Sequence, residues 1–140
     1  MSKKHLNIGI AVLFVVLLVF LLRDTFSQPT VNDLSGGFKE VASYRNQNNT
    51  GPVQRIYSVS VSDPTNAQLE EYGNLMPHTK YGNTKVYFFK EGDRIPTQLF
   101  PGGDNFDKAF EKNCIAVYEK SAMGNYGLLL NPFTQTQRTQ

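Results

Sequence analysis

The sequence predicts an α+β protein: an N-terminal transmembrane helix followed by one small domain, with a mixed sheet of about five strands and two helices on one face. Three observations carry this. A run of 15 uncharged residues, IGIAVLFVVLLVFLL, begins at Ile8 and closes at Leu22. Beyond residue 37, five short runs read as strands: FKEVASYR, VQRIYSVSVS, KVYFFK, CIAVYE and YGLLL. Two of the gaps between them carry helix-start signals, which gives the order β-β-α-β-α-β-β.

The apolar run is uniform all round instead of striped, as lipid requires and a soluble core helix does not. Its 15 residues rise roughly 22 Å at ~1.5 Å each, short of a ~30 Å hydrocarbon layer. Leu6 and Asn7 extend it, and Lys4 and Arg23 snorkel at the two ends. A cleaved signal peptide is the rival reading, but Thr25-Phe26-Ser27 is a poor small-x-small cleavage site. Lys3 and Lys4 precede the run, while Arg23 is balanced by Asp24 after it. The basic flank stays inside, so the N-terminus is expected in the cytoplasm and the domain outside, whether or not the segment is cleaved. The expected organisation is a cytoplasmic tail 1–5, a signal-anchor helix 6–23, a linker 24–37, an extracytoplasmic domain 38–133 and a disordered tail 134–140.

Residues 24–37 (DTFSQPTVNDLSGG) are polar and contain Pro29 and Gly36-Gly37, which reads as a spacer. FKEVASYR fits a strand because the turn cluster NQNNTGP follows it and leads into VQRIYSVSVS. There Tyr57, Val59 and Val61 share one face and Ser58, Ser60 and Ser62 the other, so one face is expected buried and the serine face wet or covered by a partner. Asp63 reads as an N-cap with Pro64 at the first helical position. Leu69, Tyr72 and Met76 make the stripe of that helix, and Pro77 ends it. KVYFFK has four apolar residues in succession and is expected to be buried on both faces. RIPTQLFPGG is a crossover anchored by Ile95, Leu99 and Phe100, and Asp104 is placed to cap a short helix carrying Phe106, Ala109 and Phe110. CIAVYE and YGLLL complete the sheet, and Asn131-Pro132 stops it.

Of 14 Lys/Arg and 12 Asp/Glu, Lys3, Lys4, Arg23 and Asp24 belong to the N-terminal segment, leaving 11 of each sign in the rest. A neutral domain offers no footprint for a phosphate backbone, so nucleic acid is excluded as a partner. A single cysteine, Cys114, excludes an internal disulfide.

Candidate sites are few. His78, with Lys80 and Tyr81 near it, is the domain's one acid–base candidate at neutral pH; a histidine favoured by a helix C-terminus explains it as well. Cys114 is a nucleophile only if a base lies beside it, and it opens an apolar strand, where a free thiol serves as a small hydrophobe. One Cys and one His cannot make a zinc site. Asp104, Asp107 and Glu111 lie one turn apart but lack the loop carbonyls of a calcium site. Gly102-Gly103-Asp104 resembles an anion-binding helix start, yet the carboxylate would repel a phosphate. Asn48-Asn49-Thr50 is a formal glycosylation sequon. Tyr81, Tyr87, Phe88 and Phe89 are either a binding strip or core material. No catalytic, cofactor-binding or metal residue is assigned, and no cofactor or small-molecule substrate is expected.

The layout of short tail, single span and outer α+β domain resembles that of proton-driven stator subunits that energise outer-membrane transport. Those carry a carboxylate inside the span, and Ile8 to Leu22 has none. The expected function is therefore that of a non-enzymatic accessory or protein-interaction module, held by its anchor at the extracytoplasmic face of a bacterial inner membrane. Its partner is another protein or another copy of itself, met at the Tyr57 strand or the YGLLL strand. The alternative is a small thiol-dependent or hydrolytic enzyme using Cys114 and His78.

Overall fold

A computed structural model describes residues 2–26, 28–47 and 51–134, in two compact units that divide after Thr30. The first unit is helix α1, Lys3–Phe26, with no buried residue and with the length and apolarity to cross a membrane. Its 24 residues rise about 36 Å, more than the ~30 Å of a hydrocarbon core. Helix thus extends past both ends of the apolar run, taking in Lys3 and Lys4 of the expected tail and residues 24–26 of the expected linker.

The second unit is a five-stranded mixed sheet in the order β1-β2-β3-β4-β5, with α-helix and 3₁₀ turns packed on it, as the α+β class requires. Strand β1 (Phe38–Arg45) pairs antiparallel with β2 (Gln54–Val61), with a register shift between Glu40 and Ala42. The expected sequon at 48–50, between the two strands in sequence, lies outside the described residues. Helix α2 (Leu69–Leu75) carries the chain over to β3 (Asn83–Lys90), which is parallel to β2. Strands β4 (Cys114–Lys120) and β5 (Tyr126–Leu130) follow, each antiparallel to its predecessor.

Both faces of the sheet are buried. On one, Val59, Val61, Val86, Phe88, Ala116 and Tyr118 pack with Leu69 and Tyr72 of α2. Phe38 joins them, its ring 4.6 Å from Tyr72 and 5.9 Å from Phe88. On the other, Ile56, Tyr87, Phe89 and Cys114 pack with Leu99 and Phe106 of the crossover. The sheet is therefore a middle layer, with α2 on one side and the 95–113 segment on the other, where both helices had been expected on a single face. The run KVYFFK demands this, since Val86 and Phe88 point to one side and Tyr87 and Phe89 to the other.

Four expectations need correction. Within β2 the serine face is not wet: Ser58 and Ser60 are buried on the crossover side, so the chain itself and not a partner covers them, while Ser62 just past the strand is exposed. Asp63 does not cap α2. Its carboxylate accepts from Asn66 Nδ2 at 3.0 Å, and the helix starts only after Gln68. Gln68 is held by a reciprocal pair with Ser35: each backbone N–H is satisfied at 2.9 Å, one by the Gln68 side chain and the other by the Ser35 carbonyl. That pair also corrects the spacer. Val31 and Leu34 pack on the core, and Gly36 and Gly37 take positive φ to turn the chain into β1. Finally, Asp104 does not start a helix. The turn after it is a 3₁₀ segment, Lys108–Asn113, capped by Asp107, whose Oδ1 accepts from the Ala109 N–H at 2.8 Å. The backbone before it is drawn inward by Asn105, which is buried and donates to the Phe100 and Gly102 carbonyls at 2.9 and 3.0 Å. Tyr87 closes the network by donating to Asn105 Oδ1 at 2.6 Å.

Candidate functional site

His78 follows α2 on the helix-bearing face, half-buried at the start of β3. The Thr84 hydroxyl lies 3.0 Å from the Pro77 carbonyl, to which it donates, and His78 Nδ1 is hydrogen-bonded to that hydroxyl at 3.1 Å. The imidazole and the Tyr126 ring stand edge to face, with centroids 5.6 Å apart. Burial lowers the pKa of His78 from its usual 6.5; Lys120 and Arg55 act in the same direction, and the Ser121 backbone opposes them. A neutral imidazole tethered to a threonine and an aromatic ring is a packing element of this corner.

Lys120 was not singled out in the sequence, although its alternation with Ala116 and Tyr118 in CIAVYEK points it toward α2. It is buried, and its ammonium donates to the Asn74 and Met76 carbonyls at 2.8 and 3.0 Å. Those carbonyls close the helix, where a cation is favoured. Tyr118 donates its hydroxyl to the Asn74 side chain beside it. The charge of Lys120 is thus used to hold α2 on the sheet, and burial pulls its pKa down.

Cys114 lies on the opposite face and at the opposite end. It pairs with Phe89, whereas Lys120, beside His78, pairs with Thr84 five residues earlier on β3. The thiol donates to the Ala116 carbonyl at 3.3 Å, and burial pushes its pKa up to about 12. A thiol that stays protonated and has no histidine on its side of the sheet is no nucleophile. The enzyme reading that joined Cys114 to His78 ends with this separation.

The acidic trio comes to little. Asp107 is used as a cap, and no group of three metal-binding side chains is found among the described residues. Gly102 and Gly103 form one wall of a cavity of about 360 Å³, opposite Gln54, Asn83 and Lys85, with Ile56 and Asn105 also lining it. Two of its polar side chains are engaged elsewhere: Asn105 in the network above, and Asn83 by donation to Glu119 Oε1 at 2.8 Å. The resemblance of Gly102-Gly103-Asp104 to an anion-binding helix start, already opposed by the carboxylate, also lacks a helix dipole, since no helix starts behind the glycines. Of the aromatic strip, Tyr87, Phe88 and Phe89 are core and Tyr81 alone is exposed.

What distinguishes this domain is the contrast between its two sheet edges. β1 presents exposed Lys39, Glu40 and Arg45 and carries a bulge, both of which discourage another strand from pairing. β5 has neither device. Tyr126, Leu129 and Leu130 are 56, 53 and 59% exposed, and Met123 just before them is 85% exposed. The stretch from Ser121 to Thr134 contains no charged residue. A trough of about 410 Å³ runs beside the strand over Val117, Glu119 and Leu129. No family model, curated protein or solved structure matches this chain.

Proposed function

We propose that this protein is a membrane-anchored, non-enzymatic interaction module that docks another polypeptide strand on β5. The observation that carries the reading is the β5 edge, uncharged and apolar over five residues while the other edge of the same sheet is charged and bulged. An open hydrophobic edge is an aggregation hazard unless something is meant to pair with it. Helix α1 is the anchor, and the Lys3-Lys4 flank keeps the N-terminus cytoplasmic, which puts the domain on the extracytoplasmic face. The buried thiol, the tethered imidazole and the use of Asp107 as a cap support a role without chemistry.

The test compares the wild-type chain with Leu129→Lys in membranes. Both chains are expected to sediment with membranes and to lose the domain to protease applied from the extracytoplasmic side. Cross-linked while still in the membrane, the wild-type chain should run larger than one chain, and the lysine variant should not. Recovery in the cytosol, or identical cross-linked size for the two chains, refutes the reading.

A further inference from the structure

The ladder between β4 and β5 shows which backbone groups of the edge remain open. Asn131 N–H donates to the Ile115 carbonyl at 2.8 Å, and Ser121 N–H donates to the Asn125 carbonyl at 2.8 Å. With Ala116 opposite Leu130 and Lys120 opposite Tyr126, the odd-numbered residues 125 to 131 point their backbone at β4. Tyr126, Leu128 and Leu130 therefore direct their N–H and C=O groups away from the sheet, where no further strand lies among the described residues.

We propose that a second copy of this chain occupies that edge, β5 against β5, antiparallel and symmetric about Leu128. This rests on the docking role proposed above and names its partner. Three features of the strand favour a copy of itself. First, with Leu128 on the twofold, Tyr126 meets Leu130 of the copy, so all three outward residues find hydrogen-bonding partners at once. Second, the same register sets Leu129 opposite Gly127 of the copy. Gly127 is exposed, and a Cβ there would meet nothing within 4 Å, so a leucine fits over it without a clash. Third, Tyr126 falls opposite Leu130, an aromatic–aliphatic cross-strand pair of the kind that stabilises sheets. Shifting the register by two residues leaves an outward residue unpaired, and sets Leu129 against a second Leu129 in one direction or Gly127 against a second Gly127 in the other. The strand carries no charge that another copy would repel.

The size of the contact sets its strength. Five residues span about 17 Å, and their side chains cover much less than the ~800 Å² per partner of a stable soluble interface. Confinement of both copies to one membrane raises their effective concentration and supplies what the small area lacks. Pairing is therefore a property of the anchored chain.

The full-length chain is examined in membranes with a benzophenone side chain in place of Leu130. Irradiation is expected to give a covalent dimer of the 15.8 kDa chain, with the adduct mapping near Tyr126. Gly127→Leu and Leu129→Gly should each lower dimer yield about tenfold, the effect of roughly 1.4 kcal/mol. The double variant G127L/L129G restores the large-on-small fit in reversed positions and should recover the yield. A melting temperature unchanged by Gly127→Leu checks that the fold survives. A dimer indifferent to all three variants overturns the register and with it the proposal. An adduct with a different polypeptide and no dimer overturns the second copy but leaves the docking role standing. Absence of any adduct overturns both.

Discussion

Gly73→Ala sets two effects of opposite sign against each other at the centre of α2. Inside a helix, alanine is favoured over glycine by about 1 kcal/mol. Against this, a Cβ on residue 73 would overlap the ring carbons Cγ and Cδ1 of Tyr118. That ring has nowhere to go: Tyr118 is 1% exposed, and its hydroxyl donates to Asn74 in the same helix. Forcing extra atoms into packed core costs ~1–3 kcal/mol, and an immobile ring belongs at the upper end. The expected net loss is about 1–2 kcal/mol, or about 4–8 °C in melting temperature for a domain of this size. Near-UV circular dichroism of the purified chain in detergent follows the tyrosine packing through the melt. Tyr118→Leu in the Gly73→Ala background should cost less than the two single losses added, since it removes the obstacle. If Gly73→Ala melts at or above the wild-type temperature, helix propensity has won and the close approach of α2 to β4 is wrong.

Three further outcomes follow from the packing. Tyr87→Phe leaves Asn105 Oδ1 buried without its donor and should cost ~1–3 kcal/mol in a denaturant titration; no loss would mean that the network does not hold the crossover. The Cys114 thiol, moved from 9.0 to about 12, has a thiolate fraction roughly a thousandfold lower than a free one. It should resist alkylation at mild alkaline pH until the chain is unfolded, and rapid labelling of the folded protein would contradict its burial. His78 has a folded pKa below its usual 6.5, so the unfolded chain binds the proton more readily and acid favours unfolding. The stability it contributes is complete above pH 6.5 and falls as pH drops below that value toward the folded pKa. Midpoints measured across this window should flatten in His78→Gln, and an unchanged slope would remove His78 as the cause.

Much of this fold is legible in the residues because burial imposes a period on them. Period-2 alternation in VQRIYSVSVS and CIAVYE and the unbroken apolar run of KVYFFK place three strands to within about two residues. The uniform apolarity of 8–22 marks α1 in the same way. What was hidden depends on contacts distant in sequence. Asp63-Pro64 has the local form of a helix start, but the reciprocal pair between Ser35 and Gln68 starts α2 five residues later. Asp104 has the same form, but Asn105 is drawn inward by Tyr87 and the cap falls to Asp107. The serines of β2 look solvated because a pattern of small polar residues does not reveal that the crossover lies over them. The β5 edge was half visible. YGLLL is plainly apolar, but its exposure appears only when the strand order leaves it outermost.

Backbone exchange at five consecutive amides offers the most direct test of a paired β5. Hydrogen exchange is measured amide by amide on the full-length chain, once in membranes and once in a detergent that separates chains. In detergent, Gly127 and Leu129 should be protected by β4 while Tyr126, Leu128 and Leu130 exchange freely. In membranes all five should be protected. Free exchange of Tyr126, Leu128 and Leu130 in both settings would contradict the account, because nothing would then be pairing with the edge.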